Sequence, residues 1–290
     1  MIVVAHEVQE TRVVVALETT LVAHGFPPGE GLEVGLAAEQ AVRDSGAVPA
    51  TIGVLDGEIR VGLTRDELAR FGTDARKLGP RDLAAAAAQG VVGATTVGGT
   101  LAVCLNANIS VMATGGLGGV HRSWVENPDV SADLARLART PTLVVSAGIK
   151  SLLDVPATME LLETLGVPVL GWRTDDLPLF YSAHGGPSVS ARVETVEEVA
   201  RIANTHWFDL HGGGILLARP PDESLDDVEP LIEDALRAAA EEGVRGQAVT
   251  PYVLSYLHRR SDGRTLRANR DLVVQNAHLA AEIAVALASS

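Results

Sequence analysis

The sequence predicts an α/β fold, a mixed β-sheet between layers of helices. Three observations lead there. Short β-branched runs alternate with stretches of helical period over most of the chain. Two runs, residues 50–55 and 58–61, flank Asp56-Gly57, a dipeptide typical of tight hairpins, so the sheet is not wholly parallel. No repeat, low-complexity tract or linker divides the 290 residues, so residues 1–290 read as one domain. The acidic, proline-containing stretch 220–230 is the best boundary candidate and reads instead as a surface loop.

The first strand is 13–17, followed by Glu18-Thr19-Thr20 and the turn-rich Gly25-Phe26-Pro27-Pro28-Gly29. Residues 31–45 form an amphipathic helix that stops at Gly46. After the hairpin, Thr64 caps a short helix, with Glu67 completing a capping box. An alanine-rich helix covers 81–89, and another covers 95–107, opening at Thr95-Thr96. A strand at 110–113 runs into the glycine loop Thr114–Gly119. Asn127 as cap and Pro128 at the first position open a helix over 129–139. A strand at 142–146 ends in Ala147-Gly148-Ile149-Lys150. Helix 156–165, strand 167–171, a loop, helix 195–205, strand 215–218 and two or three final helices complete the order.

Composition narrows the function. A chain that is 47% hydrophobic does not stay disordered, and one Cys cannot form an internal bridge. A lone Cys104 fits a reducing, cytoplasmic setting. The net charge of −14 argues against a nucleic-acid or membrane-surface partner, both of which need a basic face. The start of the chain lacks a signal-peptide pattern, and the apolar stretch near 101–120 is broken by Asn106, Asn108 and glycines.

Of the 23 basic residues, only Lys77 and Lys150 are lysines. Codon bias of a GC-rich genome, which the many Ala and Val also suggest, accounts for the preference for arginine. The two remaining lysines are candidates for amine chemistry, because an amine can attack a carbonyl and form an imine whereas a guanidinium cannot.

In open α/β sheets, reactive side chains gather at the carboxyl ends of strands. Here those ends deliver Glu18, the glycine loop with His121, and Lys150, while the segment before Arg81 offers Lys77. Small residues before Lys150 allow close approach of a ligand. Asp129 and Asp133, four apart on the predicted helix, would share a face; their hard oxygens suit Mg or Mn, although acids are also common in a first helical turn. The glycine loop is neither a Walker loop nor a dinucleotide fingerprint.

Together these segments resemble the pseudouridine-5′-phosphate glycosidases, the indigoidine synthase A family. The resemblance is carried by VVALETTLVAHGFP, GAVPATIGVLDGEIRVGL, KLGPRDL, GATTV, ATGGLGGVHR, DVSADLARL, TPTLVVSAGIKSLLDVPATMELLETLGVPVLG and TLRANRDLVVQNA, in order and over nearly the whole chain. It implies a three-layer α/β/α fold, a homotrimer, and reversible cleavage of the C–C bond joining uracil to ribose 5-phosphate. In that chemistry the ribose ring opens and a lysine bonds C1′ as an imine. By motif, Lys150 is the nucleophile and Glu18 the proton donor. Lys77, Val97, His121, Ser131, Ala132, Asp133 and Asn269 match substrate-binding positions, and Asp129 matches the manganese-site aspartate, with Asp133 a rival ligand.

Some segments depart from the family pattern. Ser123-Trp124 follows the His-Arg pair where the family has glycine, Thr19 replaces serine, and the segments 102–111 and 175–190 diverge. These changes touch the base pocket more than the ring-opening machinery. Two other readings compete: a C-glycoside synthase that attaches ribose 5-phosphate to an aromatic acceptor, with Trp124 and His184 near a larger pocket, and a phosphosugar-binding regulatory module without catalysis.

Overall fold

The structure, a computed structural model, describes residues 1–122, 124–125 and 128–290. It begins with β1 (Ile2–Val4), α1 (His6–Gln9), β2 (Val14–Glu18), α2 (Thr19–His24), α3 (Glu30–Asp44), β3 (Val48–Leu55), β4 (Glu58–Val61) and α4 (Arg65–Leu68). The middle comprises β5 (Arg76–Leu78), α5 (Leu83–Gln89), β6 (Gly93–Thr95), α6 (Val97–Ala107), β7 (Val111–Ala113), β8 (Val120–His121), α7 (Ala132–Leu137), β9 (Leu143–Ser146), β10 (Leu153–Asp154) and α8 (Val155–Thr164). The last part comprises β11 (Val169–Trp172), β12 (Ala191–Val193), α9 (Val196–Asn204), β13 (Ile215–Ala218), α10 (Glu229–Glu241), α11 (Val249–Arg260) and α12 (Arg264–Ser289).

One mixed sheet runs β1-β4-β3-β2-β7-β9-β13-β11-β12. Every neighbouring pair from β3 to β12 is parallel, and β4 is antiparallel to β3. The hairpin between them has Asp56 at φ 53° and Gly57 at φ 81°, the two left-handed residues of a tight primed turn. The central strands are buried along their length, as parallel strands covered on both faces must be. Helices α3, α9 and α12 make one covering layer, and α6 packs with α7 in the other. The fold is thus the expected three-layer α/β/α.

β3 outruns β2. Its residues Val48 to Ile52 pair with Val14 to Glu18, and beyond them Gly53 and Val54 pair with Ala94 and Gly93 of β6. β5 then pairs with β6, setting Lys77 opposite Ala94. Lys77 is therefore carried past the end of β2, beside Glu18. Neither β5 nor β6 was expected from the sequence, because three residues are too few for a period to show.

Three expectations are corrected. The helix expected over 129–139 begins only at Ala132, capped by Ser131, whose Oγ accepts from the Asp133 N–H. The preceding residues are held extended: His121 N donates to Asp129 O, and Ser131 N donates to Gly119 O. Asp129 therefore does not share a helical face with Asp133. The expected cap, Asn127, lies outside the described residues. The helix expected over 95–107 starts at Val97, because Thr95 is in β6 and Thr96 is the cap. Thr19 to His24 form a short helix within a stretch read as loop.

Residues 220–228 form a loop, as expected, and the last two residues of the stretch, Glu229 and Pro230, already belong to α10. The last of the final helices, α12, is the long one at 26 residues. It is long and apolar enough to cross a bilayer, but it packs on β2, β7 and β9 and against α3 and α9.

Candidate active site

Glu18 closes β2 opposite Ile52 and is only 8% exposed. Thr114, the first residue after β7, donates its hydroxyl to Glu18 Oε1 at 2.5 Å. Burial pushes the Glu18 carboxyl above its ordinary value; the Lys150 charge, the Thr114 hydrogen bond and Lys77 oppose this, and Asp133 adds to it. The carboxyl is therefore poised to keep a proton. Thr114 is itself fixed from below. Asn276 of α12, fully buried, donates through Nδ2 to the Thr114 carbonyl at 2.9 Å. Thr19 anchors the other side of the junction: its hydroxyl donates to Ile52 O and accepts from Thr95 N.

Lys150 leaves β9 through Gly148, whose φ of +83° and close approach to Pro178 O leave no room for a side chain. The Lys150 N–H donates to Leu117 O at 3.1 Å, tying the lysine to the glycine loop. A Cβ at Gly116 would stand 3.3 Å from Lys150 Cγ and 2.6 Å from the Phe180 ring, so that glycine makes room for both. Burial pushes the Lys77 ammonium below its ordinary value, and Lys150 adds to this; Asp133, Glu18 and Asp129 oppose it. Both lysines of the chain thus meet in one site, within electrostatic reach of Glu18.

Asp133, 5% exposed, ties the first turn of α6 to the glycine loop. Its Oδ1 accepts from Gly98 N at 2.7 Å, in the first turn of α6, and its Oδ2 accepts from Gly118 N at 3.1 Å. A Cβ at Gly118 would come within 2.5 Å of both Asp133 Oδ2 and Ser131 Oγ. Val97 is buried beside Gly98, and Ala132 is exposed at the start of α7. Asp133→Asn replaces one acceptor with a donor facing a buried N–H. We expect it to destabilise the fold by about 3 kcal/mol, measured by urea unfolding.

His121 Nε2 lies 3.6 Å from Asp129 Oδ2. Burial pushes the His121 imidazole below its ordinary value, against the pull of Asp129. The Asp129 side chain is 40% exposed, and no group of three or more His, Cys, Asp or Glu forms a metal cluster among the described residues. One accessible hard carboxylate is a donor set that fits a divalent cation keeping most of its waters, as Mg2+ and Mn2+ do, and does not fit zinc. Asn269 is buried on another flank, near Gly115, with Nδ2 donating to Gly25 O at 3.4 Å. His24 is taken up structurally: its Nε2 bonds the Ala75 carbonyl at 2.9 Å, two residues before Lys77.

The structure therefore brings Glu18, Lys77, His121, Asp129, Asp133 and Lys150 into one electrostatic cluster, with Ser131, Ala132 and Val97 bordering it through Asp133. Asn269 joins through the glycine loop rather than through either lysine. Sequence reasoning missed Thr114, Asn276 and Phe180. The available signals were a threonine heading the glycine run and an asparagine amid the apolar residues of a helix.

The profile of the family described as "Indigoidine synthase A like protein" matches residues 3–286. The pseudouridine-5′-phosphate glycosidase of Streptomyces griseus is 50% identical over 96% of this chain and 88% of its own length. That of Herpetosiphon aurantiacus is 46% identical over 100% of this chain and 99% of its own. Among solved structures, an indigoidine synthase A-like protein from Thermotoga maritima superposes with a TM-score of 0.89 at 38% identity, covering 99% of this chain and 96% of that one. The prealnumycin C-glycosynthase AlnA, in complex with ribulose 5-phosphate, gives a TM-score of 0.90 at 39% identity over 100% and 97%.

Proposed function

The chain belongs to the indigoidine synthase A-like family, and from that premise we propose that it reversibly cleaves pseudouridine 5′-phosphate to uracil and ribose 5-phosphate. The observation that carries this reading is the buried acid Glu18, at the end of β2, set within electrostatic reach of Lys150, beyond the end of β9, with β7 between the two strands. A C–C glycosidic bond has a poor leaving group, so two carboxylates alone serve it badly. An amine bonded to the sugar carbon provides another route.

In this route the C1′–O4′ bond breaks and O4′ takes a proton. Lys150 Nζ, as the free amine, bonds C1′ and gives up one proton, which balances the proton that O4′ takes. The nitrogen lone pair then forms C1′=N while the C1′–C5 bond breaks, and Glu18 supplies the proton that C5 acquires. Water hydrolyses the imine, releasing ribose 5-phosphate and the free amine. Lys77, with Ser131 and Ala132 at the start of α7, holds the phosphorylated sugar; Val97 and His121 line it, and Asn269 faces the base. Asp133 orders the loops around it. Asp129 would hold a hydrated manganese ion, whose charge would help neutralise the phosphate. A cytoplasmic homotrimer completes the proposal.

The test is a manganese-supplemented assay with pseudouridine 5′-phosphate, following uracil and ribose 5-phosphate by chromatography. Release of both is expected. Asp129→Ala is expected to weaken activation by manganese at least tenfold, read as a shift in the metal titration; an unchanged titration would move the ligand to Asp133. The similarity to AlnA supports a second reading, synthesis of a C-glycoside on another aromatic carbon by the same lysine. Under that reading uracil is not released, yet borohydride still traps ribose 5-phosphate on Lys150.

A further inference from the structure

Lys150 stands at the head of a tight turn. Its carbonyl accepts from Leu153 N at 3.0 Å, and the turn runs directly into β10. β10 pairs with β8, which sets Leu153 opposite His121. Ser151 and Leu153 are buried, and backbone carbonyls in buried segments need a donor from the protein.

Arg122, the residue after β8, supplies that donor twice. Its Nη2 donates to Ser151 O at 2.5 Å, and its Nε donates to Leu153 O at 3.3 Å. Its Nη1 lies 2.8 Å from Glu229 Oε1, at the start of α10. Each nitrogen of the guanidinium therefore has its own acceptor, on three different residues. A rigid planar fork can serve all three at once, whereas an ammonium is a single compact charge. The arm that carries Arg122 also carries His121, whose N–H donates to Asp129 O. One side chain thus fastens the arm of His121 and Asp129 to the turn that begins at Lys150. A nucleophile displaced by about 1 Å can lose on the order of 100-fold in rate.

We propose that Arg122 is a positioning residue for Lys150, fixing the turn so that Nζ meets the sugar held beside the β8 arm. The inference rests on the reading of Lys150 as the nucleophile.

The experiment is rapid mixing of the full chain with ribose 5-phosphate, followed by quenching into borohydride at successive times. Peptide mass mapping then gives the rate at which the Lys150 adduct forms. Arg122→Ala should slow it by about tenfold to 100-fold, while the ribose 5-phosphate concentration for half-maximal rate moves by less than about threefold. Arg122→Lys, which keeps the charge, should stay slow, and added methylguanidinium should restore part of the rate to Arg122→Ala alone. Glu229→Gln leaves both carbonyl bonds in place and should react at nearly the unaltered rate. All chains are compared below their melting midpoints, and Arg122→Gln replaces Arg122→Ala if the latter does not fold. A normal rate in Arg122→Ala, a full rate in Arg122→Lys, or an equal loss in Glu229→Gln would each overturn the proposal while leaving Lys150 as the nucleophile. Absence of any Lys150 adduct in the unaltered chain would overturn both.

Discussion

Lys150→Arg is expected to lose uracil release by about 10^4-fold or more, the order seen when a covalent nucleophile is removed. The substitution keeps a positive charge at the end of the β9 loop and keeps the backbone bonds to Leu117 O and Leu153 N, which do not involve the side chain. What it removes is a nitrogen able to form C=N with C1′. The defect should therefore fall on the chemical step, with the fold and its melting midpoint retained. Borohydride reduction in the presence of ribose 5-phosphate should add a sugar phosphate to the unaltered chain, at Lys150 by peptide mass mapping, and nothing to the variant. Turnover by Lys150→Arg at a tenth of the normal rate would remove the imine from the mechanism. Lys77→Arg is the useful contrast, since a phosphate-binding role survives in part with a guanidinium.

Glu18→Gln is expected to separate the two halves of the reaction. The imine with ribose 5-phosphate still forms, so trapping persists, whereas release of uracil falls by about 10^2 to 10^4-fold for want of a proton at C5. Its pH behaviour follows from the burial of Glu18. The folded chain holds the Glu18 proton more tightly than the unfolded chain, because ionisation in this site lacks water. Stability from this group is complete below the ordinary carboxylate pKa and is lost as pH rises through the raised value in the fold. Glutamine does not titrate. The variant should therefore match the unaltered chain in strong acid and melt at a higher temperature above the raised pKa of Glu18. The alkaline limb of the rate profile that belongs to Glu18 should vanish with it. A variant less stable than the unaltered chain at pH 8 would contradict the assignment of burial as the main cause.

Much of this arrangement was legible before any coordinates. Glu18 directly after an apolar strand, Lys150 after Ala-Gly-Ile, and the scarcity of lysine all pointed to two groups that the structure places within electrostatic reach of each other. The Asp56-Gly57 hairpin and the Thr64–Glu67 capping box were local signals and formed as read. The rest depended on distant partners. β8 and β10 are two residues each and exist because they pair with one another. That ribbon, with the strand-like run up to Ser131, is what delayed α7 and separated Asp129 from Asp133, although Pro128 and Asp129 themselves favour a helix start. The roles of Thr114 and Asn276 were hidden for the same reason: one hydrogen bond spans 96 residues and the other 162.

Bringing both lysines into the site has a practical consequence for handling the protein. With arginine in every other basic position, the folded surface offers amine-directed reagents almost nothing apart from the chain terminus. Acylating dyes and amine-reactive cross-linkers, which on most proteins decorate the outside indiscriminately, should here compete with the sugar phosphate for the same two nitrogens. Protection from such a label by ribose 5-phosphate would then report occupancy of the site directly, without any turnover, and the label's stoichiometry would count functional sites in a preparation.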